Sequence, residues 1–529
     1  MLTIQHLSYI HPDKEALFSD LNLTVGKHDK IALIGNNGSG KSTFLRILAQ
    51  ELHPSGGQIC RAATPYFIPQ IFGQFNHLTV AQALRVADKL CALRAILNGE
   101  TSEANFAALQ DDWTIEERCH EALQGWGLAG LDLSQPMETL SGGQKTKVFL
   151  AGIAIHQAAL VLLDEPSNHL DLAGRQLLYD FVQSTKSALL VVSHDRRLLN
   201  LLPTVCELGK DGLQMYGGNY DFYRAQKQIE EQARAGGVQS AEKALKKARQ
   251  KERETTERQQ KLDSRGKGKQ EKAGVARIMM NTLRNSAEKS TAKLKSVHTE
   301  KIGALQQQLQ DLRAALPETD QMKFGFDNAL LHKGKNLFGA EGINIRLKNG
   351  AFLWSQNLSL QIVSGERIAL KGVNGSGKTT LVKVILGDLL PQVGKVVRAE
   401  SRSVYVDQEY SLIRNNLTVY EQAQAFNAAA LPEHEVKIRL VRFLFLKEDW
   451  DKPCSALSGG ERMRLMLCCL GLGGQAPDMI ILDEPTNNLD LQNIDILTGA
   501  INDYEGTLLV ISHDETFLSS IHTERTVLL

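Results

Sequence analysis

Two glycine-rich strings, Gly35-Asn36-Asn37-Gly38-Ser39-Gly40-Lys41-Ser42 and Gly372-Val373-Asn374-Gly375-Ser376-Gly377-Lys378-Thr379, occur in one chain of 529 residues. Each is followed by a further threonine, Thr43 and Thr380. A string of this form joins a buried strand to a helix start, because its backbone N–H groups must converge on phosphate oxygens at the positive helix end. Two copies therefore demand two strand-loop-helix units, and with them an α/β architecture built twice.

Other landmarks repeat at nearly the same distance. Gly35 to Gly372 is 337 residues, Gln70 to Gln408 is 338, Ser141 to Ser458 is 317, and both Asp164 to Asp483 and His194 to His513 are 319. A near-constant offset marks a duplicated domain. Its fall of about 20 places an extra stretch in the first copy within 71–139, the size of one helical hairpin. Short apolar runs precede the motifs, at 30–34, 160–163 and 188–192, and again at 367–371, 479–482 and 507–511. Runs this short, bounded by turn residues and alternating with helical stretches, read as buried parallel strands.

The residues at the strand ends have a shared chemistry. Lys41 and Lys378 would reach the β and γ phosphates of a nucleotide, and the Ser42 and Thr379 hydroxyls would hold Mg²⁺. Asp164 and Asp483 each end an apolar run and suit a magnesium shell. Glu165 and Glu484, one residue further, stand where a carboxylate could polarise an attacking water. His194 and His513 follow 30 residues after each aspartate and fit a γ-phosphate sensor. Gln70 and Gln408 end short strand-like pieces and could ligate magnesium or the attacking water.

Between the copies the composition changes. Residues 224–323 lack Phe, Trp and Tyr, and no proline occurs between Pro203 and Pro317. Ala, Glu, Lys, Arg and Gln dominate, which favours long helix. Ile302, Leu305, Leu309, Leu312 and Leu316 recur at 3-4-3-4 spacing, a coiled-coil seam. Gly266, Gly268 and Gly274 interrupt this composition, so a helical hairpin with its tip near 264–280 is expected. Over 227–316 there are 21 Lys or Arg against 11 Asp or Glu, although the whole chain is neutral. At the tip, Arg265, Lys267, Lys269, Lys272 and Arg277 face only Glu271. Lacking aromatics for base stacking, such a tip suits the phosphates of folded RNA.

The seven cysteines include no C-x-x-C pair and read as reduced thiols. No run approaches the ~20 apolar residues of a membrane helix, and the first residues lack a basic and apolar leader. A cytoplasmic location is expected.

In order, and twice, the phosphate loop, glutamine, L-S-G-G-Q or L-S-G-G-E signature (140–144 and 457–461), Asp-Glu pair and histidine resemble the ATP-binding-cassette superfamily. The resemblance covers about four fifths of the chain. It implies two ATP and two Mg²⁺, hydrolysis to ADP and phosphate, and signatures that complete the opposite copy's site. Ser458, Gly459, Gly460 and Glu461 would cap the ATP at Lys41, and Ser141, Gly142, Gly143 and Gln144 the ATP at Lys378.

The layout, with Gly218-Asn219-Tyr220-Asp221-Phe222-Tyr223 leading into a basic linker, is similar to the ABC-F family of ribosome-associated ATPases. That implies two cassettes at 1–223 and 324–529, a helical hairpin linker at 224–323, and ribosomal RNA and tRNA as partners. The hairpin would enter near the tRNA exit and peptidyl-transferase region in the ATP-bound state, in translation regulation or in antibiotic protection. A transporter subunit or a DNA-repair ATPase is the alternative. Two departures stand out. Tyr9 suits adenine stacking, whereas an offset of 337 sets Arg346 at that place in the second copy, with Phe352 or Trp354 as substitutes. Glu461 replaces the signature glutamine.

Overall fold

The computed structural model describes residues 1–11, 16–209, 212–270, 296–297, 299–313, 334–347, 350–373, 375–487 and 489–529, with only the backbone of 235, 259–260 and 262–270. The chain divides into two units, 1–221 with 322–529, and 222–321. Asn374, Lys272 and Arg277 lie outside the described residues, and of Arg265, Lys267 and Lys269 only the backbone is described.

In the first unit each copy carries a parallel sheet. In copy one the order is Tyr66–Ile68, Leu160–Asp164, Ala188–Val192, Lys30–Ile34, Thr204–Gly209 and the antiparallel Gly212–Tyr216. In copy two it is Ser403–Val406, Met479–Asp483, Thr507–Ile511, Arg367–Lys371 and Arg525–Leu528. The central strands are buried throughout, as continuous Val, Ile and Leu runs require when helices cover both faces. A three-stranded antiparallel sheet lies beside each: Ala16–Val25, Leu2–Ile10 and Gly56–Arg61, then Leu358–Val363, Asn336–Asn344 and Val393–Arg398.

The first copy has two more helices than the second before its signature. Ala87–Leu97 and Glu103–Leu109 precede Ile115–Gly125, whereas copy two passes from Val419–Ala425 to Glu433–Arg442. This is where the spacing placed an insertion.

Strand pairing revises one correspondence. Ile10 pairs with Ala16 and Arg346 with Phe352, while Leu17 and Leu353 pack identically against Gly40 and Gly377. The offset here is 336, so Arg346 matches Ile10, and Tyr9 matches Ile345. The second copy has one extra residue between Trp354 and Leu358, which moves the offset to 337 before the phosphate loop begins.

The second unit contains most of the helix Tyr220–Gln270. Val238, Ala241 and Leu245 pack with Leu309, flanked by Ile302, Leu305 and Leu312; Leu316, the last position of the expected seam, lies outside the described residues. The helix continues through Gly266 and Gly268. Two glycines cost about 1 kcal/mol each relative to alanine, too little to break a helix of 51 residues.

The strand leading to Gln70 depends on one close packing. Tyr66 donates to Phe149 O at 3.1 Å, and a Cβ built on Gly152 would lie 1.9 Å from the Tyr66 hydroxyl oxygen. Gly152→Ala is expected to cost about 1–3 kcal/mol by overpacking, read as a fall in the urea midpoint. A midpoint equal to wild type would show that Tyr66 moves aside freely.

Candidate active site

Each glycine-rich loop leaves a buried strand and turns through left-handed glycines into a helix. Gly40 (φ 93°) caps Lys41–Leu48 and Gly377 (φ 91°) caps Lys378–Leu386. A side chain at either position would also strike Leu17 or Leu353 at 2.8 and 2.7 Å. The lysines bond to the loop itself. Lys41 Nζ donates to Gly35 O at 2.7 Å and Asn36 O at 3.0 Å, and Lys378 Nζ to Gly372 O at 2.7 Å and Val373 O at 3.1 Å.

The two acids at each strand end would point to opposite faces if the strand simply continued. They converge because the second residue is left-handed: Glu165 has φ 51° and Glu484 φ 47°. For a non-glycine residue this costs on the order of 1 kcal/mol and needs fixed surroundings. Those are supplied by Glu165 N–H donating to Val192 O at 2.9 Å, and Glu484 N–H to Ile511 O at 2.8 Å. The histidines close over the carboxylates. His194 Nε2 stands 3.3 Å from Glu165 Oε1, and His513 Nε2 stands 3.5 Å from Glu484 Oε1.

Dehydration dominates the electrostatics. Burial, reinforced by the charge of Asp164, pushes Glu165 up to about 8; burial pushes Asp164 to about 6 and Glu484 to about 7. Burial, and then the nearby lysine, lowers His194 to about 3 and His513 to about 4. Burial also lowers Lys41, against the pull of Glu165, Asp490 and Asp164.

A cavity of about 260 Å³ lies over the first loop. Its lining includes Asn37, Gly38, Gly40, Lys41, Ser42, Thr43, Gln70, Asp164, Glu165 and His194. All its lining residues belong to the first copy, and they include His11 and Leu17. Tyr9 is not among them; its ring packs against His11 and Phe18. At the second loop Trp354 Nε1 donates to Ser376 O at 2.9 Å, Arg346 lies over the exposed Phe352 ring, and Gln408 is exposed.

One contact joins the copies directly at this cavity. Asn37 N–H of the first loop donates to Asp490 Oδ2 of the second copy at 2.9 Å. Asp490 ends the string Asp483-Glu484-Pro485-Thr486-Asn487-Asn488-Leu489-Asp490 and caps the helix Leu491–Asp503.

The family described as ABC transporter matches residues 18–168 and 355–487. The ATP-binding protein YbiT of Escherichia coli O157:H7 is 30% identical, over 96% of this chain and 92% of that protein. The ATP-binding protein Uup of E. coli K12 is 29% identical, over 99% and 79%. The fold is that of a solved archaeal ribosome recycling factor, aABCE1, with a TM-score of 0.61 at 19% identity, covering 99% of this chain and 87% of that one. The chain belongs to the ATP-binding-cassette family, in its ABC-F branch.

ABC-F cassettes bind ATP, usually with magnesium, and the residues here fit that pair. Ser39 Oγ and Ser376 Oγ are buried without a hydrogen-bond partner, as is Asp164 Oδ1, and Ser42 bonds to Asp164. Carboxylate, hydroxyl and the Gln70 amide make the hard oxygen set magnesium prefers. When bound, the ion would neutralise charge on the β and γ phosphates.

In the second cassette Thr379 Oγ1 lies 3.4 Å from Asp483 Oδ2, which also accepts from Tyr405 OH at 2.8 Å. The strand pairing puts Phe67 at the matching place in cassette one, so Asp164 has no such partner. Tyr405 escaped the sequence reading because one tyrosine in an apolar strand carries no pattern.

The signatures open helices at Ser141 and Ser458, both exposed. In each, the serine and the fifth signature residue, Gln144 or Glu461, close a capping box. The boxes differ in one proton: Ser141 Oγ accepts from Gln144 N–H, whereas Ser458 Oγ can also donate to Glu461 Oε2 at 2.7 Å. Burial opposes ionisation of Glu461 most, yet bonds from Lys452 and Ser458 hold its carboxyl below the usual value.

The raised carboxylates make stability depend on pH. Glu165 and Glu484, ordinarily near 4.5, keep their protons when folded to about 8 and 7. Above 4.5 the folded state therefore holds more protons than the unfolded one, and stability falls as pH rises. The depressed histidines act with the opposite sign, but only up to their ordinary 6.5. From pH 6.5 to 8 the nucleotide-free protein is expected to lose more of its urea midpoint than Glu165→Gln/Glu484→Gln does; equal losses would remove the carboxylates from this account.

Proposed function

We propose that this ABC-F protein is a cytoplasmic ATP hydrolase that binds the ribosome with both cassettes loaded and leaves after hydrolysis. The observation that carries this reading is the bond from Asn37 N–H to Asp490. It makes one cassette's phosphate loop depend on the other cassette's helix cap, so a nucleotide held at Lys41 bears on the pairing of both. Lys41 and Lys378, Ser42 and Thr379, with Asp164 and Asp483, would hold two ATP and two Mg²⁺. Glu165 and Glu484, once ionised, would polarise the attacking water, and His194 and His513 would read the γ-phosphate. ATP acts as a ligand that favours the closed pairing, and hydrolysis withdraws that preference.

The linker supplies the second half of the reading. Its excess of Lys and Arg over Asp and Glu suits contact with ribosomal RNA and tRNA near the tRNA exit and peptidyl-transferase region. The related fold of a ribosome recycling factor supports the choice of partner. Among the described residues no helix is long and apolar enough to cross a membrane. Translation regulation and antibiotic protection both use this machinery.

Two outcomes test the reading. Glu165→Gln with Glu484→Gln is expected to keep ATP bound and to hold the protein on ribosomes during sedimentation in ATP; release at the wild-type rate would contradict it. Neutralising Arg265, Lys267, Lys269 and Lys272 is expected to weaken ribosome binding and flatten its salt dependence, with ATP binding intact. An unaltered salt slope would remove the linker from the interface.

A further inference from the structure

The two cassettes face each other through arginine contacts that do not repeat among the described residues. Arg196 of the first cassette, 8% exposed, forms an ion pair with Asp495 of the second. Asp495 lies on the helix Leu491–Asp503, whose cap Asp490 accepts the Asn37 N–H of the first phosphate loop. Arg196 in turn begins the short helix capped by Asp195, the residue after His194. Asp195 Oδ2 stands 3.7 Å from Arg175 Nη1 and accepts from Tyr179 OH at 2.6 Å.

Arg175, also 8% exposed, is on the helix Leu172–Ser184 and donates from Nε to Leu170 O at 3.3 Å. Its charge acts on Glu484 and His513 of the second cassette. The charge of Arg175 thus bears on the second site's carboxylate, while the Arg196–Asp495 pair ties the histidine segment of site one to the helix whose cap meets the first phosphate loop.

Part of the arrangement repeats, since the charge of Asp171 acts on Lys378 as that of Asp490 acts on Lys41, but among the described residues the arginine contacts have no counterpart. At the offset of 319, Arg175 becomes Ile494, Arg196 becomes Glu515, and Asp495 becomes Gln176. Ile494 is buried, Glu515 pairs within its own cassette with Lys371 at 2.7 Å, and Gln176 bonds along its own helix to Asp180. The contacts present bury two guanidinium groups, which is unfavourable unless each is paired.

We propose that Arg175, Arg196 and Asp495 are positioning residues that couple the two nucleotide sites, so that occupancy of one changes the affinity of the other. They touch no reacting atom. Arg175 holds Asp195 and the histidine segment of site one while its charge faces Glu484, and Arg196 ties that segment to the helix whose cap meets Asn37. Nucleotide at either site changes the charge that these residues face, and coupling between sites is reciprocal.

This inference rests on the two-site reading above, and one experiment separates them. In the full chain with Glu165 and Glu484 retained, the affinity of each site for a radiolabelled, non-hydrolysable ATP analogue with magnesium is measured by equilibrium dialysis, with the other site intact or disabled by Lys41→Ala or Lys378→Ala. The ratio is expected to be about fivefold or more, in the range usual for coupled sites. Asp495→Asn and Arg175→Met are expected to cut it at least threefold, and Asp495→Glu, which keeps the charge, to preserve it. An unchanged ratio in the Asn and Met variants overturns the proposal, as does an equal loss in Asp495→Glu, which would make the role one of packing. Failure of both single sites to bind the analogue would instead sink the two-site reading.

Discussion

A lysine and two carboxylates kept out of water are the constraint on which the first cassette's site is built, and the second repeats it with the same groups half-buried. Burying one unpaired charge costs several kcal/mol, and here charge is traded among Lys41, Asp164 and Glu165, or their counterparts, within a few ångströms. The protein meets the cost partly by retaining protons on Glu165 and Glu484 and keeping His194 and His513 neutral. The rest is met by backbone carbonyls that hold the lysines. A triphosphate with its metal would bring the opposite charges to the same place.

The backbone shares in that arrangement. Left-handed Glu165 and Glu484 exist because the next strand's Val192 and Ile511 carbonyls accept their N–H groups. The parallel sheet thus supplies more than a platform: its register turns two sequential acids to one side. The glycines of the phosphate loops solve a related steric problem, since Leu17 and Leu353 leave no room for a side chain at Gly40 or Gly377.

Much of this was legible beforehand because the chemistry dictates residue type and spacing. Phosphate loops, strand-end acids and capping serines each need particular groups at particular intervals, and the duplication shows every one twice. The linker seam was legible for the same reason, since Leu309 and its neighbours obey a helical period. What escaped had no interval to betray it. Tyr405, Arg175 and the Arg196–Asp495 pair are single residues whose meaning depends on which element lies opposite. The displaced match of Tyr9 to Arg346 had a different cause: one inserted residue shifts every strand position before it, and only the ladder pairings show where the shift begins. At Gly266 and Gly268 local composition was outweighed by a long helix around them.

The unequal charges between the cassettes have a consequence for assembly. Two first cassettes paired head to tail would set Arg196 against Gln176, leaving a buried cation without its anion. Two second cassettes would bring Glu515 up to Asp495, acid against acid. Only unlike halves satisfy the arrangement. Covalent tandem linkage therefore does more than raise local concentration: it delivers the sole combination in which neither half is left with an orphan charge, and it discourages exchange with a neighbouring molecule.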